Sequence, residues 1–133
     1  MKDLRKFYVD GEWVDPICAS DLAVENPATE ELVATISLGA MADVNMAVAA
    51  AKHAFPLYSQ TSTDERIALL ENLLSIYSDR YDEMAVAISI EMGAPISFAT
   101  AAQADCGRGH INAALEALKK FEFERQIGST RVV

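Results

Sequence analysis

Two thiols, two imidazoles, a few paired carboxylates and a glycine pair are the residues of this chain whose types could do chemistry. Cys18 and Cys106 lie far apart in sequence, and neither belongs to a CxxC or Cys/His ligand spacing. Cys18 follows Pro16 in a loop and Cys106 stands beside Gly107 in a helical pattern, so each reads as a small packing residue. Cys106 and His110 fall at i, i+4, which puts both on one helix face within reach of a metal ion, but two ligands without companions make a weak site. Gly107-Arg108-Gly109 comes nearest to a dinucleotide fingerprint. A phosphate cradle of that kind needs a strand before it and a third glycine, and the pattern offers neither; the P-loop pattern is absent too. His53 sits near the end of a helical stretch, where the dipole favours a protonated imidazole. Glu30-Glu31 and Asp82-Glu83 are adjacent pairs whose side chains diverge, so they make no convergent acid/base dyad. Trp13 and the aromatic residues between 55 and 81 read as core or interface packing.

The elements that must position these residues change character along the chain. Residues 7 to 14 alternate around Asp10-Gly11, a strong two-residue hairpin signal. A second extended stretch from Leu22 to Glu25 turns at Asn26-Pro27-Ala28-Thr29 and resumes as Leu32 to Ser37, because proline excludes the preceding residue from the helical region. After Gly39 the period becomes helical, with Val44, Ala47, Val48, Ala51 and Phe55 on one face, and Pro56 is expected to end that helix. Ser62-Thr63-Asp64-Glu65 is a capping box that starts the next helix, whose apolar stripe is Ile67, Leu70, Leu73 or Leu74, and Tyr77.

Helical pattern then persists to Met92, where Gly93 and Pro95 supply stop chemistry. Unbroken, this stretch would reach about 45 Å at 1.5 Å per residue, so a break capped by Ser78 or Asp79 is expected. A last helix from about Ile96 to Phe121 buries Ile111, Leu115 and Leu118 and places Lys119-Lys120 at the negative end of its dipole. Gly107 and Gly109 weaken its middle by roughly 1 kcal/mol each relative to alanine and mark a bend or a close helix crossing. The closing segments, Phe121 to Glu124 and Thr130 to Val133, alternate like strands with no evident partner in the chain, an edge that invites association.

Size and charge bound the function. The 133 residues, 51% hydrophobic and 23% charged, fit one globular domain long enough to bury a core. A formal charge of −9 disfavours a nucleic-acid partner, since the phosphate term would be repulsive. Much of the acidity lies in residues 64 to 92, which reads as a solvated helix face. No apolar run approaches the roughly 18 to 20 residues of a membrane span, and the basic N-terminus has no apolar signal core behind it. Together with two unpaired thiols these features point to the cytoplasm.

Three blocks carry a resemblance: Phe7-Tyr8-Val9-Asp10-Gly11-Glu12-Trp13-Val14, Glu25-Asn26-Pro27-Ala28-Thr29-Glu30-Glu31, and Ser89-Ile90-Glu91-Met92-Gly93-Ala94-Pro95. With Asp64-Glu65-Arg66-Ile67-Ala68-Leu69-Leu70 between them and Arg131-Val132-Val133 after, their order and spacing resemble the opening of an NAD(P)-dependent aldehyde dehydrogenase, most closely the bacterial aldehyde or betaine-aldehyde-like members. The resemblance covers essentially residues 7 to 133. It implies an α+β fragment of the α/β aldehyde dehydrogenase fold: β ribbons over 7–38, helices over 42–121, and the start of bridging and oligomerisation strands over 122–133.

It also implies that the nucleophilic cysteine, the general base and most of the cofactor site lie outside this stretch, since neither Cys18 nor Cys106 matches the family's nucleophile context. NAD or NADP would serve the full-length enzyme, and none is expected to bind this chain alone. One partial site carries over, a monovalent cation held by the main-chain carbonyls of Val24, Glu25 and Glu91, with Glu91 having an alternative reading as a helix-end residue exposed to water. At least one helix stripe is expected to lack its partner, so the chain should self-associate or join dehydrogenase subunits. The leading expectation is therefore an N-terminal fragment of an aldehyde-oxidising enzyme, inactive by itself. The alternative is a non-enzymatic binding or regulatory module derived from the dehydrogenase front end. A free-standing helical ligand binder would need a convergent polar pocket, and the sequence offers none.

Overall fold

The computed structural model describes residues 2–132; Met1 and the last residue of the expected closing strand, Val133, lie outside the described residues. The chain forms ribbons first and helices second, as the change of period implies. Strands β2 (Phe7–Val9) and β3 (Glu12–Val14) pair antiparallel, following β1 (Lys2–Leu4). Asp10 and Gly11 take φ of 54° and 84°, the left-handed pair that a tight hairpin turn requires. Tyr8 and Trp13 face each other across the ribbon with ring centroids 5.2 Å apart. Trp13 is nonetheless 66% exposed, so the packing expected of it is not provided by this chain.

The second ribbon is β4 (Asp21–Glu25) with β5 (Leu32–Ser37), antiparallel, with a register shift between Val24 and Glu25. Its turn is held by Asn26, whose side-chain oxygen accepts from the Ala28 amide at 2.9 Å and whose carbonyl accepts from the Glu30 amide at 2.8 Å. β1 lies parallel to β5 on its other edge and completes a three-stranded sheet. The sequence pattern begins the strands at residue 7 and misses β1. Its three residues are all exposed and show no alternation, and the strand exists because it meets β5 some thirty positions away. Arg5 reinforces that meeting with a forked contact to Asp21, at 3.0 Å and 2.8 Å.

Helix α1 (Met41–Tyr58) continues past Pro56 instead of stopping there. Proline removes one amide donor, but the residues after it keep helical φ, and the Ser59 amide still reaches the Phe55 carbonyl at 2.8 Å. The predicted stripe of α1 is also not its buried face: Val44, Ala47, Val48, Ala51 and Phe55 are exposed, while Ala42, Met46 and Ala50 are half-buried. Helix α2 (Thr63–Asp79) starts from the expected capping box, with the Ser62 amide donating to Glu65 at 2.7 Å and the Glu65 amide to Ser62 Oγ at 3.2 Å. Ile67, Leu70, Leu74 and Tyr77 are its half-buried stripe; Leu73 points to solvent.

The break before α3 (Tyr81–Met92) falls at Arg80, one residue beyond the expected pair. Neither Ser78 nor Asp79 caps it; the Ser78 hydroxyl turns back to the Leu74 carbonyl at 2.8 Å. The last helix comprises α4 (Ile96–Phe98), a π turn over Ala99–Gln103, and α5 (Ala104–Lys120). Its irregularity thus lies upstream of the glycines. Gly107 instead marks the close crossing, since a Cβ there would lie 2.6 Å from Tyr77 Cζ, whereas Gly109 borders open space. Leu115 is buried and Ile111 and Leu118 half-buried, as the pattern requires, and Lys119 ties α5 to Glu71 of α2 at 2.8 Å.

The closing segment corrects one expectation. β6 (Arg125–Ile127) and β7 (Thr130–Val132) pair with each other across Gly128, at φ 62°, while Phe121 to Glu124 is not strand. The closing strand therefore has a partner, although every residue of the hairpin is exposed.

Burial is sparse. The buried apolar residues among those described are Ala34, Ala85, Ala99, Ala104 and Leu115, four of them alanines, so this length of chain does not enclose the core that its composition suggests. The helices form a layer whose remaining apolar surface, including Phe55, Leu57 and Phe98, faces outward.

Candidate functional site

The second and third sequence blocks, far apart in the chain, meet at one point. Gly93 ends α3 in the left-handed conformation at φ 68°, and a Cβ on it would lie 2.8 Å from Pro27 Cγ and 3.0 Å from the Ala28 amide nitrogen. The turn that Asn26 shapes is thereby seated on the end of α3. Ser89 secures that end by donating its hydroxyl to the Ala94 carbonyl at 2.7 Å. Val24 and Glu25 lie at the register shift leading into the turn, and Glu91 lies two residues before Gly93. The shift is a local irregularity in the ladder, with Val24 still paired to Ala34 and Glu25 to Leu32. Glu25 and Glu91 are both exposed at their side chains.

The other residues singled out by type are not brought together. Cys18 and Cys106 are free thiols, and both are exposed, which overturns the reading of each as a packing residue. His110 is exposed on the same helix as Cys106, and among the described residues no group of three or more His, Cys, Asp or Glu is placed to hold a metal. Gly107-Arg108-Gly109 lies within α5. Arg108 is occupied there, pairing with Asp105 and stacking 5.1 Å from the Tyr81 ring centroid. Glu30 takes φ 59° in the turn, Glu83 pairs with Arg80 at 2.8 Å, and His53 is exposed on α1.

A groove of about 730 Å³ runs between α2 and α3, lined by Leu73, Ile76, Met84, Val86 and Ile90. Its rim also carries Lys2 and Asp82, and Arg80 and Glu83 on its lining pair with each other.

Two residues organise the scaffold: Asp43, which sequence reasoning missed, and Tyr77, which it placed in the α2 stripe without its hydrogen bond. Asp43, in the first turn of α1, is buried and accepts from the Ile17 amide at 2.7 Å and the Ala40 amide at 2.8 Å. These two amides hold its carboxyl below the usual range. It pins the loop that carries Cys18 to the start of α1. The signal was present as an acidic residue three positions after Ala40, half of a capping box without the usual hydroxyl. Tyr77 donates its hydroxyl to the Ala104 carbonyl at 2.7 Å, and burial pushes that phenol up from its ordinary value.

Ribbons feed a helical layer on which many large apolar side chains are exposed, an α+β arrangement. A model of the aldehyde dehydrogenase family matches residues 13–132, and the chain belongs to that family. It matches the N-terminal segment of these oxidoreductases. It is 46% identical to a 3-succinoylsemialdehyde-pyridine dehydrogenase of a Pseudomonas species, over all of this chain and 28% of that protein. The fold superposes on an aldehyde dehydrogenase from Bartonella henselae with a TM-score of 0.94 and 44% identity, covering 98% of this chain and 28% of that one. It also matches a mutant aldehyde dehydrogenase from Pseudomonas syringae, complexed with NAD+ and octanal, with a TM-score of 0.91 and 42% identity over 96% of this chain and 26% of that one. The chain thus spans little more than a quarter of the length of these relatives.

Proposed function

We propose that this chain serves as the N-terminal framework of an enzyme that oxidises aldehydes to carboxylic acids with NAD or NADP, and that by itself it neither turns over aldehydes nor binds the dinucleotide. The observation that carries this reading is the pairing of near-complete structural coverage with relatives of which it is only 28%. Aldehyde oxidation through a covalent intermediate needs an activated thiolate, donors for the developing oxyanion, and a base. Cys18 and Cys106 are both exposed free thiols. Incubation of the pure chain with NAD or NADP and a panel of aldehydes is expected to give no rise in reduced-cofactor absorbance. Reproducible turnover refutes the proposal.

The same reading extends to partners and place. The solvent-facing apolar surface and the protruding β6–β7 hairpin suit association with dehydrogenase subunits or a second copy of the chain. No helix among the described residues is long and apolar enough to cross a membrane, which is compatible with a cytoplasmic setting. At the turn seated on Gly93, the main-chain carbonyls of Val24, Glu25 and Glu91 are the groups we assign to a monovalent cation, which would offset the local acidity and fasten the turn to the helix end.

A further inference from the structure

The π turn within the last helix has a consequence for the residue that touches it. In an α-helix the Ala104 amide would donate to the Thr100 carbonyl, four residues back. Here it donates to Ala99, five residues back. The extra residue therefore takes from Thr100 its ordinary donor. That carbonyl is not left bare, because Tyr81 at the start of α3 donates its hydroxyl to it. The setting is among the most enclosed of the described residues: Ala99, which opens the turn, and Ala104, which follows it, are both fully buried. Tyr81 is itself braced on two sides, by the edge of the Tyr77 ring at 6.3 Å and by the Arg108 guanidinium at 5.1 Å.

We propose that Tyr81 is a positioning residue that sets the register of the last helix, its hydroxyl replacing the amide donor that the inserted residue withdraws from Thr100. One inserted residue rotates everything beyond it by about 100°. The register therefore decides that Gly107 and not a bulkier neighbour meets Tyr77, and that Cys106 and His110 lie on the open face. A π turn is the less common and less stable arrangement, and it persists where surrounding groups satisfy the carbonyl it frees.

The test is a double-mutant cycle in the intact chain, combining Tyr81→Phe with deletion of Ala101, an exposed residue of the π turn. Amide exchange over residues 100–105 is the readout. Tyr81→Phe alone is expected to speed exchange there roughly tenfold, in line with one lost hydrogen bond to a part-buried carbonyl. Deleting Ala101 restores the α-helical donor to Thr100, so in that background Tyr81→Phe is expected to change nothing. Equal acceleration in both backgrounds, or none in either, overturns the proposal. Should Tyr81→Phe fail to fold, recovery of folding on deletion of Ala101 supports the register role, and no recovery overturns it.

Discussion

Replacing Gly107 by alanine puts a methyl carbon 2.6 Å from Tyr77 Cζ, about 1 Å inside normal contact. The tyrosine cannot withdraw freely, because its hydroxyl is bonded to the Ala104 carbonyl at 2.7 Å on the same helix. Three contributions decide the outcome. Alanine is favoured over glycine in a helix by about 1 kcal/mol. Against this stand an overpacking penalty of roughly 1 to 3 kcal/mol and about 1 kcal/mol for the displaced hydrogen bond. The net expectation is destabilisation by about 1 to 3 kcal/mol. Gly109, two residues on, provides the control: a Cβ there meets nothing within 4 Å, so Gly109→Ala keeps only the helical gain and should stabilise by about 1 kcal/mol. Urea unfolding followed by far-ultraviolet dichroism separates the two. With a slope of about 1 to 3 kcal/mol per molar, midpoint shifts of opposite sign and roughly 1 M apart are expected. Equal shifts for both variants would refute the claim that α2 and α5 cross at Gly107.

Gly93→Ala combines a left-handed backbone, unfavourable to alanine by about 1 to 2 kcal/mol, with contact against the Pro27 ring and the Ala28 main chain. A loss of about 2 to 4 kcal/mol is expected in the same assay, and a variant with an unchanged urea midpoint would show that the turn is not seated on α3. Asp43 ionises more readily folded than unfolded, so its stabilisation is present above its ordinary value of 3.8 and is lost as pH falls from there through the lowered folded value. Asp43→Asn should be less stable near neutrality and show a shallower fall in melting temperature on acidification; identical pH profiles would remove Asp43 from that role.

Local chemistry made much of the fold legible. The Asp10-Gly11 hairpin, the Asn26 turn, the Ser62 capping box and the Gly93 stop each rest on a preference expressed within four or five residues, and each forms as expected. The stripes of α2 and α5 were legible because those helices pack on one another within this chain. The stripe of α1 misled because its apolar face finds nothing here to pack against, so its burial cannot follow its periodicity. The Arg80 break and the passage through Pro56 are boundary effects of one or two residues. The closing hairpin was missed because alternation was followed through Phe121 to Glu124, while the turn at Gly128 sets the actual register.

By itself the sequence determined the order of ribbons and helices and the membership implied by its three blocks, because these depend on residue types and short-range geometry. Only the tertiary structure decided that β1 joins β5, that Gly93 carries the Asn26 turn, that Asp43 fastens the Cys18 loop, and that Tyr77 and Tyr81 hold an irregular helix. The reason is physical. Each of these is a contact between segments distant in sequence, made to satisfy a backbone group or fill a space that exists only once the other segment has arrived.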